Sequence, residues 1–433
     1  MPLPEQLQKE WRVRKPLADA VLWLFALAEA RAVAPGLRNA AILLLSAASW
    51  LAPPAGLAAA ASALEPGKPP NDPLFKYQWH LRAIQAPAAW AVSRGAGATV
   101  AILDTGVAYE DRGIYRRAPD LAGTRFVPGW DFVDGDAHPN DEPPPDRQSH
   151  GTHIAGIVAQ TTGNGVGAAG VAPAAAIMPI RVLRPDTTGS PKAMAKGLRF
   201  AADHGADIAN LSIAGPSDVR VVKDAIGYAA SKGVTVVASA GNDGRSPVSF
   251  PAAYPKVIAV GAISRDRTRA NYSNYGQALD LVAPGGDDQL DASGERAGDG
   301  VLQQTLKGGP SQWCYCFMAS TSAAAAQVSG VGALLVASGR ASGPAGIASA
   351  LRSSAQDVGP PGRDTGYGAG LIQAAAALAP ADSVPGRRAT PPPSRPSAAT
   401  WSVSPALPVA GAVLAAGLLG LSVARRRRRT HER

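Results

Sequence analysis

The chain predicts an α/β fold: a three-layer sandwich in which a mostly parallel central sheet is flanked by helices. Two observations carry that expectation. Short apolar runs recur along the middle of the chain with helical segments between them, and such strands belong to a parallel sheet covered on both faces. Chemically distinctive loops follow the carboxyl ends of those runs, where an open α/β sheet builds its site. With 433 residues, 46% of them hydrophobic, one domain of about 300 residues plus tails can bury a sizeable core.

The elements follow in order. Thr99 to Leu103 is a continuous apolar run and reads as a buried strand, and His150 to Ala159 starts a helix. Ile177 to Val182 reads as a strand, Ala193 to His204 as a helix and Asp207 to Ser212 as a strand. Val221 to Lys232 is the next helix and Val234 to Ala238 the next strand. Ser322 to Ala337 closes the set as a helix of small residues.

Three segments carry chemistry. Ala101-Ile102-Leu103-Asp104-Thr105-Gly106 sets a carboxylate at the end of a strand. Gln148-Ser149-His150-Gly151-Thr152-His153 supplies an imidazole, and Ser320-Thr321-Ser322 opens the small-residue helix. Asp, His and Ser are the parts of a nucleophilic hydrolase in which an oriented imidazole deprotonates the serine. In that reading Ser322 is the nucleophile, placed at the positive end of a helix dipole; His150 is the general base, and Asp104 holds its tautomer. His153 lies one turn beyond His150 and reads as structural, because the segment lacks the glutamate of a zinc-protease helix. Asn242, in Ser239-Ala240-Gly241-Asn242, follows a strand and is the candidate side-chain donor to an oxyanion.

These residues resemble the subtilisin-like serine proteases, in particular the bacterial secreted, thermitase-like branch. The resemblance runs from about Asn71 to Leu378 and includes Asn164-Gly165-Val166-Gly167, Asn210-Leu211-Ser212-Ile213 and Pro251-Ala252-Ala253-Tyr254-Pro255. It implies the subtilisin-like fold, serine endopeptidase activity and polypeptide substrates bound along Ser212-Ile213-Ala214-Gly215 with Gly241 nearby. Ala214 stands where the family usually has glycine, adding a methyl at the wall of the first specificity pocket. Ser320, Ala326 and Gln327 replace the family's usual glycine, proline and histidine around the nucleophile.

The loop Trp130 to Asn140 places oxygen donors at alternate positions, a spacing that suits calcium, although an acidic surface loop reads the same way. The resemblance implies Asp131, Asp134, Asp136 and Asn140 as ligands to structural Ca2+, and a second site formed by Asp72, Asp120 and Asn164. A rival of another class is a membrane-tethered, inactive scaffold of the same fold that binds peptides. Asp364-Thr365-Gly366 echoes Asp104-Thr105-Gly106 as in paired-carboxylate proteases, but it lacks a preceding apolar strand and leaves His150 and Ser322 unexplained.

Outside this domain, expected over 65–380, the composition changes. A basic lead with Arg14, Lys15, Arg31 and Arg38, an apolar stretch from Ala40 and small residues to Ala63 read as a leader with a secretory signal over 1–64. The interval between that signal and the domain has no room for a long inhibitory prodomain. Residues 381–405 form a Pro/Ser/Ala-rich linker. Ala406 to Ala424 is long and apolar enough to span a bilayer, and Arg425 to Arg429 begin a cytoplasmic tail over 425–433. The expected location is therefore the outer face of the cytoplasmic membrane. Leu407-Pro408-Val409-Ala410-Gly411 resembles a sortase signal, and the anchored architecture resembles the mycosins of a secretion system. The net charge of +9 resides largely in these flanks, which argues against a nucleic-acid groove. The two cysteines, Cys314 and Cys316, read as partly buried free thiols, since a Cys-x-Cys pair is poorly placed to bridge itself.

Overall fold

The computed structural model describes residues 69–287 and 299–380. The chain divides into two compact units, Met1–Arg387 and Arg388–Arg433, and every described residue lies in the first. The expected leader, linker, apolar span and basic tail fall outside the described residues. Among the described residues no helix is long and apolar enough to cross a membrane.

Two short helices, α1 (Trp79–Ala83) and α2 (Ala86–Ala89), precede the first long strand, β1 (Thr99–Asp104). Short strands β2 (Arg125–Phe126) and β3 (Trp130–Asp131) lead to helix α3 (Gly151–Ala159) and strand β4 (Ala176–Arg181). Then α4 (Pro191–Asp203), β5 (Ile208–Leu211), α5 (Arg220–Ser231) and β6 (Thr235–Ser239) alternate. Strands β7 (Val257–Ile263) and β8 (Leu281–Pro284) complete an eight-stranded sheet of order β2-β4-β1-β5-β6-β7-β8, in which β3 also pairs with β4. All its pairings are parallel, with register such as Val100 opposite Ile177 and Ile208.

Every residue of β1, β4, β5, β6, β7 and β8 is buried, so neither face of the sheet is left to solvent. Helices α4 and α5 pack together on the sheet, and α3 packs with α6 (Thr321–Ala337). Helix α4 starts where Ser190 caps it, its hydroxyl accepting from the Ala193 amide with Pro191 in the first turn. Helix α6 is buried along almost its whole length because its side chains are small. A methyl added at Gly332 would lie 2.4 Å from Ile208 Cδ1 on the sheet. Helices α7 (Gly343–Ser354) and α8 (Ala374–Leu378) follow.

A two-stranded antiparallel hairpin, β9 (Val301–Leu306) with β10 (Trp313–Met318), stands apart from the main sheet. It corrects the expectation of free thiols, because Cys314 and Cys316 form a disulfide. Residues i and i+2 of a strand project from one face, and here their Cα atoms are 5.5 Å apart, within the span a disulfide bridges.

Candidate active site

The sequence-predicted residues lie at the carboxyl ends of β1, β5 and β6 and in the first turns of α3 and α6, with Asp104 joined to His150, and Ser322 joined to Ser212. Asp104 ends β1 and is fully buried, while His150 caps the start of α3 and is partly exposed. His150 Nδ1 lies 2.7 Å from Asp104 Oδ1, which also accepts the Thr105 N–H at 2.8 Å. A carboxylate oxygen receiving Nδ1–H leaves Nε2 as the acceptor nitrogen. The approach needs glycine next to the imidazole, since a methyl on Gly151 would meet the Gly106 carbonyl at 2.1 Å. Burial works against a charged imidazole here, but the charge and hydrogen bond of Asp104, together with the charge of Asp141, outweigh it, so His150 holds its proton above the ordinary histidine range.

Ser322 occupies the first turn of α6 and is 5% exposed. Its hydroxyl donates to the Ser212 carbonyl at 3.3 Å, and the Ser212 hydroxyl donates to the Ser322 carbonyl at 3.1 Å. Asn210 gives its amide N–H to Ser212 Oγ and accepts from the Ser329 hydroxyl, both at 2.9 Å, fastening the edge segment to the helix. Two other amides of the first turn are occupied, Thr321 N–H by Asn242 Oδ1 and Ala323 N–H by Ser320 Oγ. The Ser322 N–H has no protein acceptor among the described residues.

Asn242 is exposed, and its Oδ1 is held by both the Thr321 N–H at 2.9 Å and the Thr321 hydroxyl at 2.8 Å. That fixes the flip of the amide and leaves Nδ2 as its outward donor. Gly241 adopts φ +106°, and a methyl there would meet Asn274 Nδ2 at 2.3 Å. Asn274 was not anticipated from the sequence. Its amide accepts from the Asp243 and Arg245 N–H groups and donates to Ser249 Oγ, so it shapes the loop that presents Asn242. A lone Asn within Asn-Tyr-Ser-Asn carries no signal for that role.

The edge segment is shorter than expected. Gly215 exchanges both backbone bonds with Phe250, at 2.7 and 2.9 Å, so its N–H is already engaged. Ser212 to Ala214 form the open part, with Ile213 packed partly inward and Ala214 exposed. The departures around the nucleophile have structural roles. Ser320 adopts an extended φ of −170°, which any residue can take, and caps α6 through its hydroxyl. Gln327 donates its amide to the Pro284 and Ala323 carbonyls, tying the helix to β8.

His153 is structural as expected: its Nε2 meets the Cys316 carbonyl at 3.0 Å. Burial lowers it to about 3, as it does the neighbouring buried His80. Asp364 also has a structural role, its Oδ1 accepting the Gly366 and Tyr367 N–H groups in a turn.

The expected calcium ligands separate into two cases. Arg181 Nη1 already pairs with Asp131 at 2.9 Å and Asp134 at 2.6 Å, Asp136 accepts the His138 N–H, and Asn140 donates to Glu110. Arg181 thus pairs with two of the three loop acids. At the second place Asp72 and Asp120 are both buried; burial, with the charge of Asp72 adding to it, raises Asp120 to about 7. Asp120 is surrounded by Gln160, Asn164, the Ala168 N–H and Tyr315 OH, all neutral groups. Asp72 receives the Gly163 and Asn164 N–H groups with Arg94 nearby, and two buried carboxylates with that one arginine as counter-charge form a place that a hard cation fits. Among the described residues no three Asp, Glu, His or Cys side chains group as metal ligands.

The subtilisin-like α/β fold and the relatives it matches define a serine-type endopeptidase. Residues 95–370 match the subtilase family model, and the chain belongs to that family. It is 37% identical over 306 residues to thermitase of Thermoactinomyces vulgaris, covering 70% of this chain and 97% of thermitase. Subtilisin Savinase of Lederbergia lenta is 35% identical over 303 residues, covering 69% of this chain and 97% of the relative. Among solved structures, a protease of Pseudoalteromonas arctica is similar with a TM-score of 0.63 at 34% identity, covering 72% of this chain and 99% of that one.

Proposed function

We propose that the chain is a secreted, membrane-tethered serine endopeptidase working through Asp104, His150 and Ser322 with an acyl-enzyme intermediate. The observation that carries this is the 2.7 Å bond from His150 to the buried Asp104 at the start of α3, a helix that packs with α6, whose first turn holds Ser322. An extended substrate adds a strand along Ser212 to Ala214, its N–H taking the Ser212 carbonyl. That displaces the Ser322 hydroxyl, which then turns to His150 Nε2. His150 takes the proton as Ser322 Oγ attacks the carbonyl carbon. The resulting oxyanion is met by the Ser322 N–H and Asn242 Nδ2, and His150 gives its proton to the departing amine. Water, deprotonated by the same imidazole, releases the acyl group.

Asp72 and Asp120, with Asn164 beside them, would hold a structural calcium, which would supply a counter-charge to the two buried carboxylates. Export and tethering rest on the apolar leader and on Ala406 to Ala424 followed by five arginines. Peptide hydrolysis by the full chain and by Ser322→Ala, His150→Ala and Asp104→Asn tests the assignment. Asp104→Asn should reduce kcat by about 10⁴, and Ser322→Ala and His150→Ala by about 10⁶ each. Full activity in Ser322→Ala rejects it.

A further inference from the structure

One buried charge beside the catalytic pair has no part in the mechanism above. Asp141 is 1% exposed and lies in the loop that leads to His150. Its Oδ1 accepts from the Thr105 hydroxyl at 2.8 Å and the Glu142 N–H at 3.0 Å. Its Oδ2 accepts from the Thr152 N–H at 2.8 Å, the Thr152 hydroxyl at 2.6 Å and the Ser149 hydroxyl. The hydroxyl directions are constrained. Thr105 Oγ1 already accepts the Gly151 N–H at 2.9 Å, and Thr152 Oγ1 accepts the Ala108 N–H at 3.0 Å. Each therefore gives its own proton to Asp141. Burial pushes the Asp141 carboxyl up, and the bonds from Ser149, Thr152 and Thr105 oppose it. Five donors on two oxygens, two of them backbone amides, form the shell of an ionised carboxylate.

The residues it binds are the immediate neighbours of the catalytic pair. Thr105 follows Asp104, Ser149 precedes His150, and Thr152 lies in the first turn of α3. We propose that Asp141 is a positioning residue: it locks the β1 end carrying Asp104 to the helix start carrying His150, and its fixed negative charge supports the imidazolium formed during attack. This rests on His150 being the base. The charged groups facing that imidazole are Asp104 from β1 and Asp141 and Arg147 from the preceding loop, while His153 from α3, lowered by burial to about 3, faces it as a neutral ring. Asp104 and Asp141 favour the cation, whereas Arg147 disfavours it.

The test uses the full chain carrying Asp141→Asn and Asp141→Glu, with kcat and KM measured across the acid limb of the pH profile. Asp141→Asn should lower kcat by about 10- to 100-fold through misplacement of the base, with KM nearly unchanged. It should also move the acid limb to lower pH, because the imidazolium loses a neighbouring anion. Asp141→Glu should keep the limb near its wild-type position. Ser149→Ala and Thr152→Val, each removing one hydroxyl donor, keep the proposal decidable if Asp141→Asn does not fold. Both should lower kcat, whereas a purely structural role lowers only the melting temperature. Wild-type kcat and limb in folded Asp141→Asn, or in both donor variants, beside an inactive Ser322→Ala, overturns this proposal alone. Hydrolysis surviving in Ser322→Ala overturns the triad itself.

Discussion

Replacing Asn242 separates its two roles, because its two amide atoms face different partners. Oδ1 holds the Thr321 N–H and hydroxyl inside the protein, while Nδ2 is the donor left for the oxyanion. Asn242→Ala removes both functions. The buried Thr321 donors lose their acceptor, which costs about 1–3 kcal/mol of stability. Losing the oxyanion donor costs about 10²–10³ in kcat, a magnitude known for a subtilisin side chain in that role. Asn242→Asp keeps an acceptor for Thr321 but puts a negative charge where the oxyanion develops. It should therefore melt close to wild type and yet lose at least as much kcat as the alanine variant. Steady-state kinetics on a peptide substrate, paired with thermal unfolding of the same preparations, reads both effects. An Asn242→Asp protein with wild-type kcat refutes the assignment of Nδ2 as a donor.

His150 must be neutral to act as base and holds its proton above the usual histidine range, so kcat/KM should rise with pH along a limb lying above that range. A limb at the unperturbed histidine value, about 6.5, contradicts the influence of Asp104 and Asp141. Chelation should lower the melting temperature, since calcium at one hundred times its dissociation constant stabilises by about 2.7 kcal/mol. The response should disappear in Asp120→Asn; identical melting curves with calcium and with chelator remove the site. Ala214→Gly should shift peptide-library preference toward aromatic residues before the cleaved bond, by about 1–3 kcal/mol. An unchanged preference for Phe and Tyr in both proteins rejects that pocket argument.

The sequence made the core strands and helices legible because they are uniformly apolar or strongly periodic. The expected strand Thr99 to Leu103 is β1 less one residue, and the expected helix Ser322 to Ala337 is α6 less one. Local chemistry could not reveal what depends on distant pairing. The hairpin of β9 and β10 is such a case: Tyr315 and Phe317 face one small cluster with Leu302, while Cys314 and Cys316 turn to the other side and bridge. A Cys-x-Cys spacing alone does not disclose a strand. The loop from Asp131 to Asn140 carries an oxygen pattern that suits calcium, yet Arg181, fifty residues away from Asp131 and adjacent only through the β3–β4 pairing, pairs with two of its acids. Asp141 and Asn274 were invisible for the same reason, since each gains its meaning from donors that only the fold assembles.

The central claim is an activated serine at position 322, and covalent labelling tests it most directly. The full chain treated with a fluorophosphonate, digested and read by mass spectrometry should carry the adduct on Ser322. The adduct should be absent from Ser322→Ala and greatly slowed in His150→Ala, because the imidazole generates the nucleophile. Rapid labelling at another serine, or equal labelling of the His150→Ala protein, contradicts the account.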